Sequence, residues 1–364
     1  MNKLISIIGN NNHGLAASDG GRIKIRLYSQ ILQNEGFTVQ IVDLADWKKN
    51  PLFVLYKIYK AIKLSDVVIL MPGSGGSRIL LPVVAKLKKR GNAKLLYSPI
   101  GIGTISKLLK KHLDEEQEEV FLSGENFYDL KDNKIKKALK CFDLIMLENK
   151  TLINVYEKFY QLQNLKLITN FRIASGITHR PFSSQDMSLK AVFLARITES
   201  KGIFDAIWAV KQFNESSSRK CSLDIYGPIE LNEYERNNFY KCLSDQIVYK
   251  GVAKQSEVKS ILSQYDCYIF PVKSHEGTPG SLIEAMIAGT PAICSSIAQI
   301  SEFVDDKLSG LIFKFGSRED LLNKIIYYSN LSNNIIQKMS ENTHRISMQY
   351  TYEGIRESFL SCFK

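Results

Sequence analysis

The chain has 364 residues, of which 45% are hydrophobic and 23% charged, a composition typical of a soluble globular protein with room for two domains. No window approaches the roughly 18 apolar residues of a membrane span, and the short apolar run Leu4–Ile8 is not followed by a signal-peptide cleavage site. The six cysteines are scattered without a C-x-x-C pair. We therefore expect reduced thiols, a cytoplasmic location and no metal site.

The first half of the chain alternates short apolar runs with amphipathic segments. The predicted strands are Leu4–Ile8, Val39–Val42, Val67–Met71, Lys94–Ser98, Leu144–Leu147 and one near Leu165–Ile168, and the predicted helices are Gly20–Glu35, Leu52–Leu64, Leu80–Arg90 and Leu152–Tyr160. This alternation predicts a parallel sheet with helices on both faces. The pair Gly20-Gly21 and the run Gly73–Gly76 are either simple turns or places where the backbone approaches a ligand.

A polar stretch divides the chain. Residues 170–188 include Gly176, Pro181 and several serines and predict an interdomain linker, with domains at 1–175 and 176–350. A second alternation runs from the strand Ala191–Leu194 to the helix Ser317–Tyr328, and residues 351–364 read as a C-terminal helix. The fold class is therefore α/β, with two parallel-sheet domains.

The segment from His275 to Met286 carries the clearest chemistry. It follows an apolar strand at 266–270 and places Glu276 and Glu284 eight positions apart, with a Gly/Pro loop between them. A strand, a glycine loop and a helix in succession direct backbone N–H groups at an anion, as in phosphate sites. Carboxylates on either side accept hydrogen bonds from sugar hydroxyls. The pattern predicts a site for a nucleotide sugar.

This segment resembles the E-x7-E signature of retaining family-4 glycosyltransferases, which have the GT-B fold and include enzymes of bacterial cell-surface polysaccharide synthesis. Three further motifs follow the family's order: Ala195–Gly202, Leu223–Pro228 and Val248–Val252. The N-terminal half resembles the family only loosely. The resemblance implies two Rossmann-like domains that face each other across a cleft, with the C-terminal helix crossing back to the N-terminal domain.

The resemblance also implies the site residues. Arg196 and Lys201 match the cations that neutralise the donor diphosphate, and Glu276 matches the carboxylate at the transferred sugar; these three are the candidate catalytic residues. The candidate donor-binding residues are Gly20, Gly21, Gly227, Gly251, Val252, Gly277, Thr278, Pro279, Gly280, Ser281, Leu282 and Glu284. Glu284 falls in an apolar helix, where an unpaired carboxylate is costly, so we expect ribose hydroxyls as its partner. No D-x-D sequence occurs, and neither a metal nor a cofactor beyond the nucleoside-diphosphate sugar is expected.

The charge is unevenly distributed. Residues 1–175 hold 27 Lys/Arg and 16 Asp/Glu, whereas residues 176–364 hold 21 of each, so the whole net charge of +11 belongs to the first half. Two acid-free patches, Trp47–Lys63 and Lys86–Lys111, combine lysines with apolar residues. Such patches favour contact with an anionic membrane surface over simple solvation of a helix. No nucleic-acid-binding motif is present.

These features together predict a retaining, metal-independent hexosyltransferase, peripherally bound to the inner face of the plasma membrane, with a lipid-linked glycan as acceptor. Two alternatives are a GT-B transferase with a soluble acceptor and a non-catalytic nucleotide-sugar-binding subunit. One departure from the family lies in the segment Tyr97–Gly103, which lacks the histidine that many relatives have near the reacting sugar. We therefore expect main-chain contacts at that position.

Overall fold

The computed structural model describes residues 3–14, 20–174, 188–275 and 277–364. The chain forms two compact units. The first comprises residues 1–170, 276–278 and 357–364, and the second comprises residues 171–275 and 279–356. In the described part of the chain, no helix is both long and apolar enough to cross a bilayer.

The first unit is built on a six-stranded sheet in which every pairing is parallel, in the order β2-β1-β3-β4-β5-β6. Its strands are β1 (Leu4–Gly9), β2 (Thr38–Asp43), β3 (Val67–Met71), β4 (Lys94–Tyr97), β5 (Leu144–Leu147) and β6 (Leu165–Leu167). Its helices are α1 (Gly20–Asn34), α2 (Pro51–Leu64), α3 (Ser74–Lys88), α4 (Ile105–His112), α5 (Glu115–Ser123), α6 (Asn133–Leu139) and α7 (Lys150–Tyr160).

The local sequence accounts for these elements. All five residues of β3 are buried, as expected for a central parallel strand covered on both faces. Helix α2 begins where the Asn50 side chain accepts a hydrogen bond from the N–H of Phe53, with Pro51 in the first turn. The buried face of α2, formed by Val54, Ile58, Ala61 and Ile62, packs into the core of the first unit.

The second unit contains another all-parallel sheet, in the order β12-β11-β10-β7-β8-β9. Its strands are β7 (Ser188–Leu194), β8 (Lys220–Tyr226), β9 (Ile247–Gly251), β10 (Cys267–Phe270), β11 (Ala292–Ser295) and β12 (Gly310–Phe313). Its helices are α8 (Ile203–Ser216), α9 (Glu233–Cys242), α10 (Val258–Leu262), α11 (Gly280–Ile287), α12 (Ala298–Ser301), α13 (Arg318–Ser329) and α14 (Asn333–Ser347). Within its own unit, this order is that of the dinucleotide-binding Rossmann fold.

The two sheets confirm the predicted pair of Rossmann-like domains. Strands β3 and β5 coincide with their predicted bounds, but α3 begins at Ser74 rather than at Leu80. The reason is that Gly75 and Gly76, which predicted a loop, lie in the first turn of that helix. Most of the predicted linker at 170–188 lies outside the described residues; Arg172 pairs with Thr351 in an isolated β-bridge, and Ser188 already belongs to β7.

The C-terminal segment begins with α15 (Tyr352–Leu360), and its residues from 357 onward belong to the first unit. The ring of Phe359 lies 4.7 Å from that of Tyr28 on α1, and 5.0 Å from that of Phe363. All three rings are fully buried. Residues at the end of the chain thus complete the core around α1.

Candidate active site

In the second unit, strands β7 and β10 are adjacent, and the order of the sheet reverses between them. Ligands of open α/β sheets bind beyond the carboxyl ends of the strands at such a switch point. Arg196 follows the end of β7, and helix α11 begins shortly after β10. The N-terminal turn of α11 has backbone N–H groups without intrahelical partners, and such groups bind anions.

Lys201 lies at the end of a single 3-10 turn, Glu199–Lys201, that leads from β7 into α8. The Thr198 side chain caps this turn by accepting the N–H of Lys201 at 3.2 Å. Lys201 is only 9% exposed, and its Nζ lies 5.8 Å from the centre of the Phe270 ring at the end of β10. The structure therefore brings Lys201 to the switch point.

Arg196 is more accessible than Lys201. Its side chain is 47% exposed, and its guanidinium pairs with Glu230 at 3.0 Å. An exposed pair of this kind contributes little to stability and is easily exchanged for another anion. Arg196 is thus available for a phosphate at the end of β7, whereas Lys201 is fixed by its surroundings.

Lys273 joins the Lys201 turn to the loop after β10, and sequence reasoning missed it. Its N–H donates to the carbonyl of Ser200 at 2.8 Å, and its Nζ pairs with Glu199 at 2.8 Å and Asp205 at 3.0 Å. Burial acts to lower the pKa of Lys273, but the two carboxylates outweigh it and raise the pKa above its ordinary value. Lys273 is therefore a structural cation of this site.

Gly227 and Gly251 lie together beyond β8 and at the end of β9. The N–H of Gly227 donates to the carbonyl of Gly251 at 2.9 Å. A Cβ at position 227 would lie 1.8 Å from the carbonyl oxygen of Ala195, so only glycine allows these strand ends to approach so closely. Val252, the next predicted donor-binding residue, is 63% exposed.

Helix α11 starts at Gly280 after Pro279, and its first turn carries Ser281 and Leu282. The Ser281 hydroxyl lies 2.9 Å from that of Tyr268 on β10, and Leu282 is fully buried. These contacts fix the beginning of α11 against β10. The predicted residues Pro279, Gly280, Ser281 and Leu282 therefore share one anchored helix start.

Glu284 has a protein partner that the sequence analysis missed. Its Oε1 accepts hydrogen bonds from Arg172 Nε at 2.8 Å and Gln255 Nε2 at 2.6 Å, and its side chain is only 6% exposed. Arg172 supplies a counter-charge, so the burial of Glu284 does not by itself require a ligand. The role of Glu284 in binding the ribose stays a prediction. No motif reveals this pair, since Arg172 lies in the predicted linker, 112 residues before Glu284.

Arg172 also determines the residue at the start of α11. A Cβ on Gly280 would lie 1.5 Å from Arg172 Nη2. The guanidinium thus occupies the space beside this helix start that any side chain at position 280 would fill. A cation close to the first turn of α11 adds to the positive potential that the helix end itself provides.

The remaining predicted residues that the structure describes belong to the first unit. Glu276 lies outside the described residues. Gly277 and Thr278 group with the first unit, where Thr278 is buried and hydrogen-bonded to Glu148. Gly20 and Gly21 form the first two residues of α1. Over the described ranges, no cluster of three or more His, Cys, Asp or Glu side chains has the arrangement of a metal site.

The two Rossmann-like sheets define a GT-B fold. In the structure of Anabaena Alr3699/HepE in complex with UDP, 99% of that chain and 99% of this one superpose with a TM-score of 0.73 at 13% identity. A likeness at this level of identity concerns the fold alone.

Residues 177–345 match the family described as glycosyl transferases group 1. WcaL of Salmonella typhimurium, named as a colanic acid biosynthesis glycosyltransferase, is 26% identical over 192 residues, or 50% of this chain and 47% of WcaL. The amylovoran biosynthesis glycosyltransferase AmsK of Erwinia amylovora is 26% identical over 292 residues, covering 74% of this chain and 69% of AmsK. The chain thus spans about half the length of WcaL.

Proposed function

We propose that this chain is a retaining glycosyltransferase of cell-surface polysaccharide biosynthesis. It transfers a hexose-type sugar from a nucleoside diphosphate to a hydroxyl of a lipid-linked glycan. The family match over residues 177–345 and the names of WcaL and AmsK support the class of reaction and its setting. The geometry of the site supports a nucleoside-diphosphate sugar as the donor.

The observation that carries the proposal is the convergence of cations and helix start at the switch point of the second sheet. Arg196 and Lys201 follow β7, and α11 follows the neighbouring strand β10. A diphosphate bound there receives two side-chain charges and the N–H groups of a helix end. The UDP bound to the HepE structure is a ligand of the same chemistry on the same fold.

Charge stabilisation is the chemistry that these residues supply. When the sugar leaves, negative charge develops on the nucleoside diphosphate, and pre-positioned cations and N–H groups stabilise that charge without reorganisation. In the front-face mechanism implied by the family, an oxygen of the leaving diphosphate accepts the proton of the acceptor hydroxyl. Glu276 would hold the transferred sugar, Glu284 the ribose, and no metal or further cofactor would be required.

The surface of α2 supports a lipid-linked acceptor over a soluble one. Leu52, Phe53 and Tyr56 are 78%, 50% and 59% exposed, and the Nζ of Lys57 lies 4.3 Å from the centre of the Phe53 ring. Lys60 and Lys63 are exposed on the same helix. Exposed apolar side chains bordered by lysines are typical of a helix that adsorbs to an anionic membrane.

A groove between α2 and α3 extends this surface. It has a volume of about 560 Å³ and is lined by Leu55, Tyr56, Tyr59, Val83, Lys86, Leu87 and Arg90. In the second basic patch, Lys86–Lys111, some lysines already have protein partners. Lys88 pairs with Asp143 at 2.7 Å, and Lys94 donates to the carbonyl of Cys362 at 3.1 Å. We therefore assign adsorption to α2 and the end of α3, on the cytoplasmic face of the membrane.

A direct test is calorimetric titration with a panel of nucleoside diphosphates and their sugars, followed by transfer assays in membranes that contain lipid-linked glycans. We expect binding of one nucleoside diphosphate and retention of the anomeric configuration in the product, read by NMR. Binding without transfer to any membrane acceptor would favour the non-catalytic subunit. Transfer to free oligosaccharides with no dependence on lipid would favour the soluble acceptor.

A further inference from the structure

A buried ion pair in the first unit joins Lys24 to Glu148, the hydrogen-bond partner of Thr278. Lys24 on α1 lies 2.6 Å from Oε1 of Glu148, and the two side chains are 2% and 4% exposed. Lys24 also donates to the carbonyl of Pro99 at 3.2 Å. Because Glu148 directly follows β5 and Pro99 follows β4, Lys24 ties together two neighbouring strand ends.

The other oxygen of Glu148 holds the backbone of the E-x7-E motif. Glu148 Oε2 accepts the N–H of Thr278 at 2.9 Å, and the carbonyl of Glu148 accepts the Thr278 hydroxyl at 3.2 Å. The carbonyl of Thr278 accepts a hydrogen bond from Asn170 at 3.0 Å. The N–H, the hydroxyl and the carbonyl of Thr278 are therefore all hydrogen-bonded to residues of the first unit.

The preceding residue shows how closely the carboxylate approaches the loop. A Cβ on Gly277 would lie 2.5 Å from Glu148 Oε2 and 3.0 Å from the Cα of Gly101. The space beside Gly277 is filled by a carboxylate and a main chain, so the loop cannot shift toward them.

Stability alone is a weak reason for such a pair. The cost of removing two charges from water is rarely exceeded by their attraction, and apolar residues of similar volume often replace buried pairs without loss. A hydrogen bond from an N–H to an ionised acceptor is, however, shorter and stronger than a neutral one. Lys24 pairs with one oxygen of the buried Glu148 carboxylate, and the other oxygen accepts the Thr278 N–H.

We propose that Lys24 and Glu148 are positioning residues for the donor loop. They fix Thr278, which lies two residues after Glu276, the carboxylate assigned to the transferred sugar. This inference rests on the proposed function. It concerns the transferred sugar and not the diphosphate.

Two matched double variants test the proposal. Lys24→Met with Glu148→Gln removes both charges but keeps an acceptor for the Thr278 N–H. Lys24→Met with Glu148→Leu removes the charges and the acceptor. We expect the first to lose less kcat than the second, because it keeps a neutral acceptor for the Thr278 N–H. The second should lose about 10- to 100-fold, because misplacing a reacting group by about 1 Å costs up to about 10².

Two further readouts separate positioning from general damage. The affinity for free nucleoside diphosphate should be unchanged in both double variants, and amide hydrogen exchange at Thr278 should accelerate only in the leucine variant. Wild-type kcat and wild-type exchange in a folded leucine variant would overturn the proposal.

If that variant fails to fold, Glu148→Asp serves instead. It retracts the carboxylate by one methylene and should lower kcat and speed exchange at Thr278. No change in either quantity would overturn the proposal. A wild-type protein that binds no nucleotide sugar would refute the proposed function, while the exchange data would still report on the loop.

Discussion

The two halves of this protein share an architecture but present different kinds of surface. Residues 176–364 are electrically neutral, with 21 basic and 21 acidic side chains, whereas residues 1–175 have a net charge of +11. The family match covers only 177–345. A small ligand is bound by a few backbone turns, so its site leaves short motifs in the sequence. A membrane is contacted by a broad surface, which leaves only a distribution of charge and apolar exposure.

The largest expected effect concerns that surface. Reversing Lys57, Lys60 and Lys63 to Glu should weaken adsorption to anionic vesicles by about 3 to 6 kcal/mol, because each near-surface cation contributes about 1 kcal/mol and each new anion is repelled. Co-sedimentation measures the change, and 1 M salt should abolish wild-type binding, since the Debye length falls to about 3 Å.

A matched control separates the surface from the total charge. Lys131, Lys134 and Lys137 are also exposed, and reversing them changes the net charge equally without touching α2. If both triple variants lose the same amount of vesicle binding, the effect depends on the overall charge and not on α2. If the α2 variant binds vesicles as well as the wild type does, the lysines of α2 only solvate the helix and do not contact the membrane.

The next effect is on the stability of the second unit. Arg172→Met leaves Glu284 buried with only Gln255 among the partners described above, and removing one member of a buried pair typically costs about 3 to 5 kcal/mol. Urea unfolding measures this loss. Arg172→Met combined with Glu284→Leu should recover most of it, and a double variant as unstable as the single one would show that the pair is not the cause.

Lys201→Ala should lower turnover by about 10² with the fold intact, as expected when a charge that stabilises the leaving group is lost. Arg196→Ala should act in the same direction, because both residues follow β7 at the switch point. Lys254, which is 80% exposed, is the control, and its alanine variant should keep wild-type turnover. Near-wild-type rates for both Lys201→Ala and Arg196→Ala would exclude the diphosphate role.

The two carboxylates of the motif should differ in what they bind, with effects of about tenfold each. Glu284→Gln should weaken both the free nucleoside diphosphate and the donor. Glu276→Gln should lower transfer but leave the nucleoside diphosphate unaffected, since that product lacks the transferred sugar. Calorimetry with nucleoside diphosphate alone tests this difference. Similar losses of affinity in both variants would contradict the assignment of Glu284 to the ribose and Glu276 to the transferred sugar.

The sequence predicted best what depends on neighbouring residues. Strands β3 and β5 matched because their apolar runs are short and clearly bounded. The position of Lys201 beyond a strand end could be predicted because its turn follows β7 closely in the sequence. The start of α3 was misplaced because tertiary packing overrides the weak helical preference of Gly75 and Gly76. The partners Arg172 and Glu148 were missed, since they contact Glu284 and Thr278 from 112 and 130 residues away. Only the folded chain brings such pairs together.

The order of synthesis gives the buried contact of Phe359 and Phe363 with α1 a kinetic consequence. The core around Tyr28 contains rings that are translated more than 300 residues later, and the first unit also includes residues 276–278. Parallel sheets already fold slowly, because their strands pair across long loops. Although domains at the N-terminus generally fold first during synthesis, the first unit of this protein cannot complete its core until residues 357–364 have emerged from the ribosome.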